Sequence, residues 1–310
     1  MLDRTLCILN FDDSVVKQKS LLSKYQARII DLSRLSSKAR LWMNKSTRQV
    51  ISERINNLGG NNCVHFLGSG DFHHISEVLT SRIKEPVCVI VFDFHPDWDT
   101  MPPKFGCGSW VSAALDNKNI VKCLLLGPSS EDISGWYLRS ANLGALNNDR
   151  LEIYPYEHKP SSVFFRGIPK NSSFDFEDKF IYKKIHWRQL KNQDLAEFFS
   201  GLLKRIPVKK VYLSIDKDCL RSEHALTNWE EGKLSLDELL LLARLIKENM
   251  DLVGVDIVGE HSPVAITNKL KSLISRLDHP RDFSAANIPE SQITAINEST
   301  NLKILETLFE

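Results

Sequence analysis

From Val87 to Phe92 the chain is unbroken apolar, and it then turns abruptly into Asp93-Phe94-His95-Pro96-Asp97-Trp98-Asp99. A short apolar run without a polar member reads as a strand buried on both faces, the mark of a parallel sheet covered by helices. Carboxylates and an imidazole at the carboxyl end of such a strand stand where α/β proteins keep their chemistry. The arrangement recurs twice. Val211-Tyr212-Leu213 runs into Ser214-Ile215-Asp216-Lys217-Asp218, and Val64 to Leu67 runs into Gly68-Ser69-Gly70-Asp71-Phe72-His73-His74. On an extended backbone Asp93, His95 and Asp97 point to one side, as do Asp216 and Asp218. One such cluster is equally well a capped turn. Two acidic strand ends in one chain favour a divalent cation, with His73, His74 or both as further ligands.

The rest of the pattern agrees with this sheet. Strands are predicted at Leu6 to Leu9, Cys63 to Leu67, Val87 to Phe92, Ile120 to Leu126, Val211 to Ile215 and Leu252 to Val258. Helices are predicted at Ser76 to Ile83, Leu195 to Ile206 and Leu236 to Lys247, the last with Ser235 and Glu238 spaced as a capping box. This alternation predicts an α/β fold with helices on both faces of a mostly parallel sheet. Leu151 to Trp187, with Phe164-Phe165 and the polar turn Asn171-Ser172-Ser173, reads as an insertion or an antiparallel edge. A terminal helix is predicted from Ile288 onward. With 310 residues, 42% of them hydrophobic, residues 1–310 suffice for one domain with a large core. A net charge of +1 argues against nucleic-acid and membrane partners. No stretch is long enough to span a bilayer, and the start reads as a strand rather than a signal peptide, so a cytoplasmic location is expected. The six cysteines show no metal-type spacing, and Cys7, Cys63, Cys88, Cys123 and Cys219, in or beside apolar runs, are expected to be small buried hydrophobes.

In this order, the glycine-rich turn ending in His, the Asp-x-His-x-Asp motif and the Ser-x-Asp-x-Asp motif resemble the signature of the arginase/ureohydrolase superfamily. Val255-Asp256-Ile257-Val258-Gly259-Glu260-His261-Ser262-Pro263 is similar to that family's Glu-x-x-Pro stretch, and the resemblance runs from about Val64 to Pro263. It implies an arginase-like three-layer α/β/α fold and two metal ions per chain, Mn²⁺ by family habit. Carried over, Asp93 and Asp216 bridge the ions, Asp97 and one of His73 and His74 complete one, and His95 and Asp218 complete the other. His73 is the nearer match. Glu260 would hold a guanidinium. Independently, a carboxylate-rich donor set with imidazole suits a hard or borderline ion, and a metal pair lowers the pKa of a shared water.

The chain departs from the family in several places. Phe72 separates Asp71 from the histidines. Cys107, in Phe105-Gly106-Cys107-Gly108, stands near where arginases carry a His-Gly pair used in proton transfer, and His224 is a further candidate for that role. Trp229-Glu230-Glu231-Gly232 falls at the family's glycine-containing active-site turn. From Asp97 to Gly108 there is no Ser-Gly-Asn-like stretch for a free amino acid's carboxylate. Trp98, Met101 and Phe105 are offered instead, a surface suited to a larger partner. The expected activity is therefore hydrolysis of arginine to ornithine plus urea within a peptide, as in the family's peptide arginases. Other readings are a ureohydrolase of free arginine or agmatine, a single-zinc deacetylase-like enzyme using the His73-His74 pair as acid and base, and a non-catalytic binding protein of the same fold. Assembly into a homo-oligomer is left open.

Overall fold

The computed structural model describes residues 5–56, 63–164, 170–278 and 288–309. Its strands are β1 (Leu6–Asn10), β2 (Ala27–Asp31), β3 (Val64–Phe66), β4 (Val87–Phe92), β5 (Ile120–Leu126), β6 (Leu151–Tyr154), β7 (Ser161–Phe164), β8 (Phe174–Asp178), β9 (Tyr182–Trp187), β10 (Lys210–Asp216) and β11 (Asp251–Val258). Among the described residues, eight of them form one sheet in the order β2-β1-β3-β11-β10-β4-β5-β6. Every pairing in it is parallel.

The apolar run of β4 has the predicted cause. Val87, Val89 and Val91 belong to the core on one face of the sheet. Cys88, Ile90 and Phe92 belong to the core on the other. Helices close both layers. Leu236–Asn249 begins at Ser235, whose hydroxyl accepts from the Glu238 amide while the Glu238 carboxylate accepts from the Ser235 amide, and its Leu239, Leu242 and Ile246 are buried. The C-terminal helix Glu290–Phe309 packs on it through Ile304, Leu305 and Leu308.

Three expectations need correction. The edge strand β2 was not predicted, because its residues are mostly exposed and the chain there shows no buried pattern. The region Leu151 to Trp187 is divided. Its first strand, β6, extends the parallel sheet, whereas β7, β8 and β9 form a separate antiparallel sheet in the order β7-β9-β8. Phe165 lies outside the described residues. The third correction concerns Asp93 to Asp97, which does not continue the strand. Asp93 Oδ1 accepts from the His95 amide at 2.7 Å, and Asp97 sits at φ +46°. The carboxylates therefore converge through a tight turn in which Asp97 adopts the left-handed region, not by strand alternation.

Candidate metal centre

The carboxyl ends of β3, β4 and β10 are neighbours around β11, and the segments that leave them enclose a cavity of about 270 Å³. His73, Asp93, His95, Asp97, Asp216 and Asp218 all line it. His73 Nδ1 lies 3.1 Å from Asp93 Oδ2, 3.3 Å from Asp97 Oδ2 and 3.3 Å from Asp216 Oδ2. His95 Nδ1 lies 3.1 Å from Asp218 Oδ2 and 3.7 Å from Asp93 Oδ1. The donors thus form two groups, His73 with Asp93 and Asp216, and His95 with Asp93 and Asp218, each drawn together within 4.8 Å. Asp93 belongs to both.

Buried polar chains orient these ligands from behind. His73 Nε2 meets Ser214 Oγ at 2.9 Å, Ser214 donates to Asp256 Oδ1 at 2.6 Å, and Tyr212 donates to Asp256 Oδ2 at 2.6 Å. Because Ser214 gives its proton to Asp256, it accepts from Nε2–H, which turns the lone pair of His73 Nδ1 toward the cavity. Trp110 Nε1 donates to Asp97 Oδ2 at 2.7 Å, and its ring sits against His73 at 4.8 Å between centroids. His95 Nε2 lies 3.3 Å from Glu230 Oε2, a carboxylate near enough to pair with the outer ring nitrogen while Nδ1 faces Asp218. Gly259, at φ +87°, keeps the backbone against Asp216, since a Cβ there would lie 2.4 Å from Oδ1.

The electrostatics call for cations. Burial, then repulsion from Asp97 and Asp218, raises the Asp93 carboxyl well above the usual carboxylate range. Burial and Asp216 push Asp218 up to about 6. Asp93 Oδ2 has no hydrogen-bond donor. Four carboxylates packed this closely, with no neutralising lysine or arginine on the cavity wall among the described residues, are unfavourable alone and well matched to two divalent ions, whose four positive charges would cancel theirs. The oxygen and imidazole donors suit Mn²⁺ and contain no thiolate pair of the zinc type.

Several predicted residues stand elsewhere. His74 is fully buried and directed away from the cavity, among Lys271, Asp71 and the Ala39 backbone, and burial pushes its imidazole down to about 3. His73 is therefore the histidine brought to the cluster, and the tandem acid–base pair that a deacetylase-like site needs is not assembled. His224 does not line the cavity; it is half-buried in a turn, with Nε2 at 3.3 Å from Glu223. Cys107 does border the cavity, at the start of a short 3-10 turn. Trp98 lines it as well, yet its ring is only 1% exposed and packs edge-on against Trp187, so it is a core residue rather than an open contact surface. Phe105 is half-buried under the Arg48 guanidinium, and Met101 is exposed. Glu260 is the largest departure. It faces away from the metal cavity, and its Oε1 accepts from Lys217 Nζ at 2.5 Å and from Asn301 Nδ2 at 2.7 Å, all three side chains being buried. A lysine from inside the Ser-x-Asp-x-Asp motif already occupies the carboxylate assigned to a guanidinium.

Sequence reasoning passed over Ser214, Asp256, Trp110, Asp99 and Asp132. A signal existed for the first two, since a serine and an aspartate inside otherwise buried strands require partners. Asp99 and Asp132 line the cavity only because segments distant in sequence meet there, with Ser140 Oγ donating to Asp99 Oδ1 at 2.7 Å. Trp229, expected only as a possible wall residue, does line the cavity, with its ring edge toward His95 at 5.3 Å.

Parallel sheet, strand-end carboxylates and two donor groups that could each hold a metal ion together define an α/β protein with a candidate metal centre. The chain belongs to the Arginase family, which it matches over residues 18–276. An uncharacterized protein of Thermotoga maritima is 29% identical over 202 residues, which are 65% of this chain and 59% of that protein, so the chain spans about three-fifths of that relative. Formimidoylglutamase from Bacillus subtilis shares the fold with a TM-score of 0.61 at 13% identity, over 99% of this chain and 88% of that one. Entamoeba histolytica arginase in complex with L-ornithine aligns with a TM-score of 0.56 at 12% identity, over 100% and 99%. Proclavaminate amidino hydrolase from Streptomyces clavuligerus aligns at 0.52 and 13%, over 100% and 93%.

Proposed function

We propose that this chain is a two-metal hydrolase of a guanidino or amidino group, acting on arginine side chains within a peptide to leave ornithine and urea. His73, Asp93, Asp97 and Asp216 would hold one Mn²⁺, and Asp93, Asp216, His95 and Asp218 the other. A bound metal pair supplies activated water near neutral pH and polarises the carbon under attack. The chain's own residues do the rest. Water oxygen bonds to the guanidino carbon, the C–N bond to the side chain breaks, and the departing nitrogen takes a proton. Asp97, anchored through Oδ2 by Trp110, is the carboxylate placed to accept a proton from water and pass it on. Cys107 contributes wall, a thiol being a poor proton shuttle near neutral pH.

The observation that carries the substrate class is the charge of the wall. Among the described residues the cavity is lined, beyond the four ligand carboxylates, by the carboxylates of Asp99 and Asp132 and by no lysine or arginine. With two divalent ions balancing the ligands, these two carboxylates remain to attract a cationic group, a task that Glu260, already paired with Lys217, does not perform in this geometry. The same wall repels the α-carboxylate of a free amino acid and offers it no cationic partner. Arginine inside a peptide has no such charge. This supports peptidyl over free arginine, in place of an apolar landing on Trp98.

The test is incubation of Mn²⁺-loaded protein with an arginine-containing peptide, free arginine and agmatine at equal concentration, reading urea and product mass. Conversion of peptidyl arginine to ornithine with the highest kcat/KM is the expected result. Preference for free arginine would overturn the peptide assignment, and absence of turnover on all three with metals loaded would favour a binding protein of this fold.

A further inference from the structure

A second group of donors, softer than the first, lies toward the amino-terminal ends of the parallel strands. The catalytic carboxylates leave the carboxyl ends of the parallel strands, whereas Cys7 is the second residue of β1 and Cys63 immediately precedes β3. Parallel pairing of β1 and β3 sets Cys7 beside His65. The i, i+2 spacing of Cys63 and His65 puts both side chains on one side of the strand. A Cys-x-His pair and a distant cysteine have no metal-type spacing in the sequence; the strand register brings the three together.

The geometry of the group is that of a ligand set. Cys63 Sγ lies 3.6 Å from His65 Nε2, and the donor atoms of Cys7, Cys63 and His65 are all within 4.8 Å of one another. In a tetrahedral zinc site, with Zn–S about 2.3 Å and Zn–N about 2.0 Å, sulfur and nitrogen stand about 3.5 Å apart. His65 is oriented for the task, because Nδ1 faces the Val255 carbonyl at 3.3 Å. Donation of Nδ1–H to that oxygen leaves Nε2 with its lone pair toward the sulfurs, the tautomer that metal-ligating histidines need. Cys7 and His65 are each 2% exposed, and Cys63 is half-buried. Two thiolates, a neutral imidazole and one divalent ion sum to zero charge, the condition for burial at low cost.

We propose that Cys7, Cys63 and His65 form a structural zinc site, separate from the two-metal centre, that ties β1 to β3, with water as the fourth ligand on the side of Cys63. A simple thiol pair or a disulfide would give the aimed imidazole no role, and thiolate selects zinc over Mn²⁺. The site does not depend on what the catalytic cavity hydrolyses.

The experiment loads the full-length reduced chain with Mn²⁺ and then Zn²⁺, desalts it and measures both metals, with Co²⁺ loading read in parallel by absorption. The expected result is one zinc per chain more in the parent than in Cys63→Ser or His65→Ala, a difference that persists in the Asp93→Asn background. Thiolate-to-cobalt charge-transfer bands should persist in Cys107→Ser, which removes the thiol of the catalytic cavity, and vanish in Cys63→Ser. Cobalt spectra of the parent without any thiolate band, zinc unaffected by the Cys63 change, bands lost only with Cys107, or a Cys7–Cys63 disulfide in protein kept under reductant would each overturn the proposal.

Discussion

Replacing Lys217 by Met tests the most unexpected contact of the molecule. Lys217 is fully buried, and its ammonium lies 2.5 Å from Glu260, itself 2% exposed, with Asn301 as the other donor to the same oxygen. Removing one partner of a buried pair leaves the other charge uncompensated, at about 3–5 kcal/mol. Asn301 retains one hydrogen bond to that carboxylate, so the lower half of the range applies, about 3 kcal/mol of unfolding free energy at pH 7. The pair itself is not a large net gain, because burial pushes the Lys217 ammonium below its ordinary value. Neutralising both ends, as in Lys217→Met with Glu260→Gln, should therefore restore most of the loss. Urea unfolding of the four proteins of this cycle, metal-free and Mn²⁺-loaded, measures the coupling, and elemental analysis checks the ligand loop on either side of Lys217. A single variant that loses less than about 1 kcal/mol, with effects that add in the double variant, would refute the internal ion pair. Kinetics on the same proteins addresses function. If Glu260 is only the partner of Lys217, the double variant keeps its affinity for a guanidino substrate; if Glu260 holds the substrate, the double variant loses that affinity.

Asp93→Ala or Asp216→Ala should lose both metals and Asp218→Ala mainly one, as elemental analysis after reconstitution would show; a chain that keeps two ions without Asp93 contradicts the shared-ligand arrangement. Asp99→Asn should raise KM for a cationic substrate by about tenfold, the equivalent of ~1.4 kcal/mol, with metal content unchanged, and an unchanged KM would remove Asp99 from substrate binding. His74 is held at about 3 by burial first and then by Lys271 and His73, below its ordinary 6.5. The unfolded chain therefore binds the extra proton between these values, and stability falls as pH drops from 6.5 toward 3. The loss between about pH 6.5 and 4.5 is about 2–3 kcal/mol, and it should flatten in metal-free His74→Leu when unfolding is followed across that range. An identical acid limb in the variant would place the acid lability elsewhere.

What could be read from residue order follows from local rules. Six strands of the parallel sheet were legible because a strand buried on both faces must be continuously apolar, as β4 is, and the helix after Ser235 was legible because its capping box is a contact between near neighbours. The acidic strand ends marked the metal cluster for the same reason, each motif being contiguous. The exposed β2 lacked such a pattern, and β7, β8 and β9 draw their burial from partners that only folding brings near. The sequence leaned to His73 over His74 and left both open; the turn at the end of β3 brings His73 to the carboxylates and leaves His74 buried beside Lys271 and Asp71. Tertiary structure also removed Glu260 from the cavity by setting Lys217 and Asn301 against it, put Trp98 in the core, and joined Asp99 to Asp132 and Cys7 to Cys63 and His65. No sequence spacing encodes these encounters; the register of neighbouring strands and the packing of remote loops decide them.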